Sequence, residues 1–571
     1  MTQRYLITSA LPYINGIKHL GNLIGSMLPA DVYARYLRQR GYEVLLICGT
    51  DEHGTPAELA AAAAKLDVAA FCEQQHRLQA EICERFSLSF DHFGRTSAPQ
   101  NHVLTKHFAA VLEQNGYIEA RSTRQIYSRA DQRFLPDRYV VGTCPHCGFT
   151  NARGDQCDSC TRVLDAVDLI QPRSAVSGST ELEVRETRHL FLLQSKLAEQ
   201  VQAWLDTRVG WNQLTLSIAR KWLEEGLQDR SITRDLSWGV PVEKPGFEGK
   251  VFYVWFDAPI GYLAATKEWS DKDPARRDWK SWWAAPQDVV YTQFMAKDNV
   301  PFHTISFPAT VLGSREGWKL PDVIKGFSWL TYEGGKFSTS SQRGIFMDAA
   351  LELLPADYWR FYLLANAPEG QDFNFAWEHF AATVNKDLVG VIGNLVNRTT
   401  TFASSRFEGR IPPSGPVGEQ EQRLQGTLGE ALSELETQLG ALEFKKASQA
   451  LRSFWAAGNV YLDATAPWKA IKTDPARAGT ALRNVLNLIR IAAIVSRPFI
   501  PEASAKICEA FALTEAEQQW PSSDLKKELD VLPAGRSFQV PPLLFRPLEA
   551  AEVAQWRERF DGTGVVTRSK T

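Results

Sequence analysis

Neither sign of charge prevails in these 571 residues: 63 lysines and arginines stand against 66 aspartates and glutamates, a net charge of −3. Without a basic surplus there is no overall field for nucleic acid, so any such contact must come from local patches. Long apolar runs are missing as well. Stretches such as Ile491 to Val495 fall far short of the roughly 20 residues that a membrane-spanning helix needs. The amino terminus, MTQRYLITSALPY, shows no charged region followed by an apolar core and a cleavage site, so no secretory signal is visible. These absences predict a cytoplasmic protein without a membrane partner. Cysteine is sparse too. Of eight residues, Cys48, Cys72, Cys83 and Cys508 are scattered, and a reducing compartment argues against a disulfide framework. No internal repeat or low-complexity tract stands out.

What is present is ordinary for a soluble globular chain, with 44% hydrophobic and 23% charged residues. The length exceeds the roughly 250–300 residues at which one core stops growing, so several domains are expected. Tyr5 to Thr8 reads as a short strand. A loop, ALPYINGIK, leads to His19-Leu20-Gly21-Asn22, and a helical pattern then runs to about Arg40, with Gly41 as its stop. Val44 to Cys48 is an apolar run closed by Gly49, the mark of a buried parallel strand. Strand, loop, helix and strand make a βαβ unit, and ligands bind such sheets at the carboxyl ends of the strands, where loops 9–22 and 49–56 meet. The α/β texture resumes at Val251–Trp255 and Val289–Tyr291 after a polar stretch without regular alternation, which predicts one nucleotide-binding fold split by an insertion. Beyond about residue 380 the pattern turns helical, with Leu482, Val485, Leu486 and Ile489 on one face, and a Pro/Gly-rich loop over about 406–420 joins two helices.

Three clusters carry chemistry. Cys144-Pro-His-Cys147 and Cys157-Asp-Ser-Cys160 form two CxxC hooks, a spacing that closes four thiolates around one structural zinc and leaves His146 a bystander. His19 stands before a helix amino terminus, where it can address phosphate together with free backbone N–H groups and the helix dipole. Lys336-Phe337-Ser338-Thr339-Ser340, behind Gly334-Gly335, is a lysine-and-hydroxyl loop able to neutralise charge on a leaving pyrophosphate.

HLGN in the first βα turn and KFSTS after the second half resemble the paired HIGH and KMSKS signatures of class I aminoacyl-tRNA synthetases. ALPY, Gly49-Thr-Asp-Glu-His-Gly-Thr-Pro56, Trp255-Phe-Asp-Ala-Pro-Ile-Gly-Tyr262 and Ala296-Lys-Asp-Asn-Val-Pro-Phe-His303 narrow the resemblance to the methionyl-tRNA synthetase family, best to its eukaryotic-type branch. The likeness covers essentially the whole chain. It implies a Rossmann-type class I catalytic domain split by a zinc-bearing insertion and followed by an all-α anticodon-binding domain. The implied division is 1–114 and 251–324 for the two catalytic halves, 115–250 for the connective insertion, 325–380 for a stem-contact region with the KFSTS loop, and 381–571 for the anticodon domain.

The resemblance further implies a methionine pocket of Ala10, Leu11, Tyr13, Asp51, Trp255, Ala258, Pro259, Tyr262 and His303. Asp51 can pair with an ammonium, and the aromatic rings suit a polarizable thioether. ATP, accompanied by Mg2+, is expected over His19, Gly21, Asn22, Asp298, Lys336, Ser338 and Thr339, with His19, Asn22 and Lys336 as the catalytic groups. Asn394, Arg398 and Trp468 are expected to read the anticodon of initiator and elongator methionine tRNAs. Since the chain ends near Phe560 without a basic OB-fold extension, a monomer is expected. Two positions depart from the family pattern. Asn22 replaces the second histidine of HIGH, and its amide still donates to phosphate. Thr339 stands where KMSKS has its second lysine, so that either Arg343 or another cation covers the phosphates, or the first step is slower.

Overall fold

The computed structural model describes residues 3–561, apart from 155, 156, 158, 161, 163, 285 and 338–342. Five parallel strands organise its first part: β1 (Arg4–Ser9), β2 (Glu43–Thr50), β3 (His92–Arg95), β4 (Val289–Ala296) and β5 (Val323–Phe327). They lie in the order β5-β4-β1-β2-β3. The chain therefore winds one way from β1 and, after the insertion, the other way from β4. A crevice opens at such a reversal, beyond the carboxyl ends of the two strands. One face of the sheet is covered by α1 (Leu28–Gln39), the other by α2 (Val254–Asp271). Both faces being buried, β2 reads as the continuous apolar run that the sequence shows.

Between β3 and β4 the insertion builds an antiparallel ribbon, Ile118–Ser128 against Leu182–Leu192, paired over its full length from Ile118↔Leu192 to Ser128↔Leu182. Most of its residues are only half-buried or exposed on both faces. That is why no hydrophobic alternation announced it. The insertion then returns through two helices, Ala198–Asp206 and Gln213–Glu224, whose neighbourhood packs Trp204, Trp211 and Ala219 against Met295 and Ile324 of the sheet.

The carboxyl-terminal part is helical: α3 (Ala356–Ala365), α4 (Asn394–Arg406), α5 (Glu419–Gly440), α6 (Phe444–Thr465) and α7 (Pro475–Ser496). By length and composition α7 could cross a membrane, which the short apolar runs of the sequence did not suggest. Its most apolar window is 94% buried inside the protein, so it is the core helix of this bundle. One hydrophobic cluster runs without a break from Leu20 and Ile24 through Trp359 and Phe361 to Trp455 and Val485. Arg360, fully buried, crosses that seam. Its guanidinium pairs with Asp31 of α1 (2.7 Å) and donates to the carbonyls of Phe86 (3.1 Å), Pro498 (2.7 Å) and Phe499 (3.2 Å).

The last described helix, α8 (Ala550–Arg559), returns to the chain around Glu333 and Trp377. Trp556 and Phe560 pack on Trp377, and Arg557 pairs with Glu333 (3.2 Å) and Glu378 (2.8 Å). Gly344 donates its N–H to the Phe560 carbonyl (3.3 Å), so the tail touches the chain on both sides of the KFSTS segment.

Candidate active site

A cavity of about 470 Å³ occupies the crevice at the carboxyl ends of β1 and β4. Two backbone bonds tie its floor together: Asp51 N–H donates to Pro12 (2.9 Å) and Ile14 N–H donates to Asp51 (2.9 Å). The loop after β1 is thereby held in register with the end of β2. All nine residues of the expected methionine pocket line this cavity, from Ala10, Leu11, Tyr13 and Asp51 to Trp255, Ala258, Pro259, Tyr262 and His303.

Asp51 is 3% exposed, and its Oδ1 is buried without a hydrogen-bond partner. Burial, together with the neighbouring carboxylates Asp257 and Glu52, holds its carboxyl well above the usual carboxylate range. Such an oxygen is costly until a donor reaches it. Behind it Asp257, which does not line the cavity, is engaged through Oδ2, receiving His53 Nδ1 (2.5 Å) and Asn101 Nδ2 (3.2 Å), while its Oδ1 is buried without a partner. The indole of Trp255 stacks on Phe302 with centroids 3.6 Å apart, and Tyr13 meets it edge-on at 6.1 Å. His303 bonds the Asn299 carbonyl through Nδ1 (2.9 Å), which fixes the proton there. Its Nε2 therefore accepts from the Tyr262 hydroxyl (2.8 Å), and burial pushes the imidazole down to about 4, keeping it neutral.

His19, Gly21, Asn22, Asp298 and Lys336 line the same cavity. Gly21 N–H donates to His19 Nδ1 (3.1 Å), and a Cβ on Gly21 would sit 2.9 Å from that ring, which only glycine avoids. Burial, with Lys18 adding to it, pushes His19 down to about 3. The neutral ring, acceptor at Nδ1, carries its proton on Nε2 as a donor to the cavity. Phe337 stacks on it at 4.4 Å. The helix start differs from expectation in one respect: its first N–H groups are not free. Leu20 donates to Ile345 (3.1 Å), Gly21 to the His19 ring, and Asn22 to the His19 carbonyl (2.9 Å). What remains for an anion is side-chain chemistry, His19 Nε2 and the Asn22 amide, whose Oδ1 is occupied by the His19 N–H (3.2 Å). A π-turn, Leu23–Met27, follows directly, and a second, Phe302–Ser306, carries His303. Such turns frequently mark functional sites.

Asp298 is exposed and receives Trp329 Nε1 at 3.4 Å, while Lys336 is exposed with its Nζ 5.7 Å from the Trp329 ring centre. Ser338 and Thr339 lie outside the described residues. Arg343 is committed elsewhere, donating to the carbonyls of Tyr332 (3.1 Å), Glu333 (3.0 Å) and Asp561 (3.4 Å). Sequence reasoning gave no role to Lys18, which immediately precedes HLGN, to Phe302, which lies within the Ala296–His303 string, or to Trp329, which no string contains.

Away from this crevice, Cys144, Cys147, Cys157 and Cys160 bring their sulfurs within 4.8 Å of one another. The Cys144–Cys160 and Cys147–Cys157 separations are 3.9 and 3.6 Å, and none of the four forms a disulfide. A tetrahedral zinc with bonds of about 2.3 Å puts its sulfurs about 3.8 Å apart, so the donor set fits that ion. His146 instead meets Arg162 through Nδ1 (3.3 Å). In the helical part, the Arg398 guanidinium lies 4.2 Å over the Trp468 ring and bonds Asp463 (2.6 Å). Asn394 is exposed one turn before Arg398 on α4. Trp468 sits in a short helix, Pro467–Ala470, after Ala466 turns the chain in the left-handed region (φ 40°).

A split parallel sheet with HLGN and the Lys336-Phe337 pair at one crevice is the arrangement of a class I aminoacyl-tRNA synthetase, and the family profile "tRNA synthetases class I (M)" matches residues 5–400. The profile "Anticodon binding domain of methionyl tRNA ligase" matches residues 411–565. The chain is 59% identical over 569 residues to a methionine–tRNA ligase of Streptomyces avermitilis, covering 98% of this chain and 99% of that one. Its identity to those of Caulobacter vibrioides and Cereibacter sphaeroides is 58% and 57%, with the same coverage. Among solved structures, a Mycobacterium tuberculosis methionyl-tRNA synthetase in complex with methionyl-adenylate aligns with TM-score 0.77 at 25% identity, over 95% of this chain and 100% of that one. The chain belongs to the methionyl-tRNA synthetase family. Its activity is the ATP-dependent ligation of methionine to tRNA.

Proposed function

We propose that the cavity binds methionine and ATP side by side and that Asp51 decides which end of the amino acid goes where. The observation that carries this reading is the buried, unpartnered Asp51 Oδ1, which a substrate ammonium satisfies. The side chain then extends toward the Trp255, Tyr13 and Tyr262 rings and neutral His303, while Ala10, Leu11, Ala258 and Pro259 shape the apolar wall. The substrate carboxylate is left facing His19, Asn22 and Lys336. There it attacks the α-phosphate of ATP, forming methionyl-adenylate as pyrophosphate leaves, and a terminal ribose hydroxyl of the tRNA then takes the methionyl group. No residue forms a covalent intermediate. His19 Nε2, the Asn22 amide and Lys336 stabilise the charge that develops on the phosphates, Gly21 leaves room for them, and Asp298 holds the ribose. Ser338 and Thr339 complete the nucleotide site. Mg2+ arriving with the nucleotide supplies further neutralisation through phosphate oxygens.

The four thiolates hold zinc as a folding element of the insertion (115–250), remote from the chemistry. Metal analysis is expected to return about one zinc per chain, and Cys157→Ser to destabilise the insertion more than it changes amino-acid selectivity. A folded, fully active chain without metal would overturn this assignment. The catalytic halves, 1–114 and 251–324, the stem-contact region, 325–380, and the anticodon domain, 381–571, complete the working division. The enzyme acts as a monomer in the cytoplasm on initiator and elongator methionine tRNAs.

Arg398 stacked on Trp468, with Asn394 one turn away, is a platform of the kind that holds unstacked bases. Base stacking on an aromatic contributes about 1–3 kcal/mol. Trp468→Ala is therefore expected to weaken aminoacylation about tenfold to a hundredfold while methionine-dependent pyrophosphate exchange stays near wild type. Parallel losses in both reactions would show that Trp468, which also packs on the core, only holds the fold.

A further inference from the structure

Lysine 18 belongs to none of the recognised strings, yet its side chain lines the cavity. Among the described residues, Lys18 and Lys336 are the only lysines or arginines that do so. The other nearby cations are spent. Arg343 is bonded to three backbone carbonyls, and Lys297 to Asp372 (2.7 Å) with its Nζ over the Trp329 ring. Lys18 is bonded only to a neutral group, Asn15 Oδ1 (3.0 Å), and no carboxylate comes within ion-pair distance of it among the described residues. Its backbone is fixed: the Lys18 carbonyl accepts from Met347 N–H (2.8 Å) and the next-but-one residue, Leu20, donates to Ile345 (3.1 Å). This short pairing joins the HLGN turn to the chain leaving the KFSTS loop, so Lys18 is held beside His19. The Asp51 carboxylate, beyond ion-pair distance, favours the charged form and offsets only part of the cost of this half-buried ammonium, so that burial still pushes it down to about 7. A polyanionic ligand removes that cost.

We propose that Lys18 is a catalytic cation that supplies, from the HLGN side, the second positive charge on the triphosphate that the KFSTS loop lacks at Thr339. The inference rests on the placement of ATP argued above. An ammonium there neutralises phosphate charge as pyrophosphate separates, the role that a loop lysine plays where the signature has two.

The test is methionine-dependent ATP–pyrophosphate exchange by the full-length enzyme and its K18M, K18R, K336A, T339K and K18M/T339K variants, with thermal melts to verify folding. Loss of one preorganised charge contact costs roughly ten- to a thousandfold. K18M is expected to lower kcat/KM for ATP by about tenfold or more, with KM for methionine within about threefold of wild type, and K18R to retain most of the activity. T339K is expected to accelerate K18M by a larger factor than it accelerates the wild type, since the loop lysine then takes over the missing charge. If K18M leaves exchange unchanged while K336A depresses it, Lys18 has no such role. A K18M defect confined to the methionine KM would also overturn the proposal, making Lys18 a partner of Asp51. Unchanged exchange in both K18M and K336A would remove the placement of ATP itself.

Discussion

Asp51→Asn is expected to lower kcat/KM for methionine by about a thousandfold and, in the same protein, to raise the melting temperature. The first effect follows from leaving a buried ammonium without its charged partner, which costs about 3–5 kcal/mol. The second follows from the state of the carboxyl in the empty enzyme. Its folded-state pKa lies well above the usual range because of burial, Asp257 and Glu52. A carboxyl raised in this way favours folding only where it is protonated. That contribution is lost as pH rises from the ordinary carboxylate range through the raised value, so at neutral pH the aspartate destabilises the fold. Asparagine removes the cost and with it the function, a trade that substrate sites commonly make. Methionine affinity of the wild type should also weaken as pH falls through the raised value, and the variant should show no such limb. Calorimetric melts and methionine titrations at several pH values decide the matter: a destabilised Asp51→Asn enzyme would mean that Asp51 is a structural residue.

The other large effect concerns Arg360. Replacing it with methionine takes one guanidinium away from the buried Asp31 carboxylate and from four backbone carbonyls, of which Ser87 keeps Arg35 as a donor (2.5 Å). Removing one partner of a buried pair costs about 3–5 kcal/mol. Asp31 keeps Arg35 (2.9 Å) and Ser89 (N–H 2.7 Å), which limits the loss on that side. The carbonyls of Pro498 and Phe499 lose their donor outright, so the seam between α1 and α7 should loosen first. Hydrogen exchange is expected to rise at residues 496–500 and along α1, and the melting temperature to fall. Wild-type stability in Arg360→Met would show that water replaces the guanidinium without cost.

Much of the crevice was legible because its residues cluster in short strings, each lying at the carboxyl end of a strand that could be read from its apolar run. HLGN follows β1, TDEHG follows β2 and AKDN follows β4. What was not legible depends on partners distant in sequence. The engagement of the helix N–H groups arises from Ile345, more than 300 positions away, and from a ring rotamer. The role of Arg343 was open in the sequence because its acceptors are backbone carbonyls, which every residue carries. The inserted ribbon was invisible since a two-sided polar strand has no period to detect. Helix α7, buried along most of its length, declares itself only as buried; what buries it is decided by the packing of α4, α6 and the short helices Pro467–Ala470 and Pro501–Ala510 around one continuous core.

The contacts at α8 bear on how the enzyme comes into being. Glu333 and Gly344 flank the KFSTS segment, and their partners Arg557 and Phe560 are made more than 200 residues later. On a ribosome the crevice strands and the HLGN turn emerge early, but the contacts that flank the signature segment close only when α8 has left the exit tunnel. A nascent chain stalled anywhere before that point carries the substrate pocket without the loop's anchorage. The part that completes the catalytic setting is thus made long after the crevice it serves.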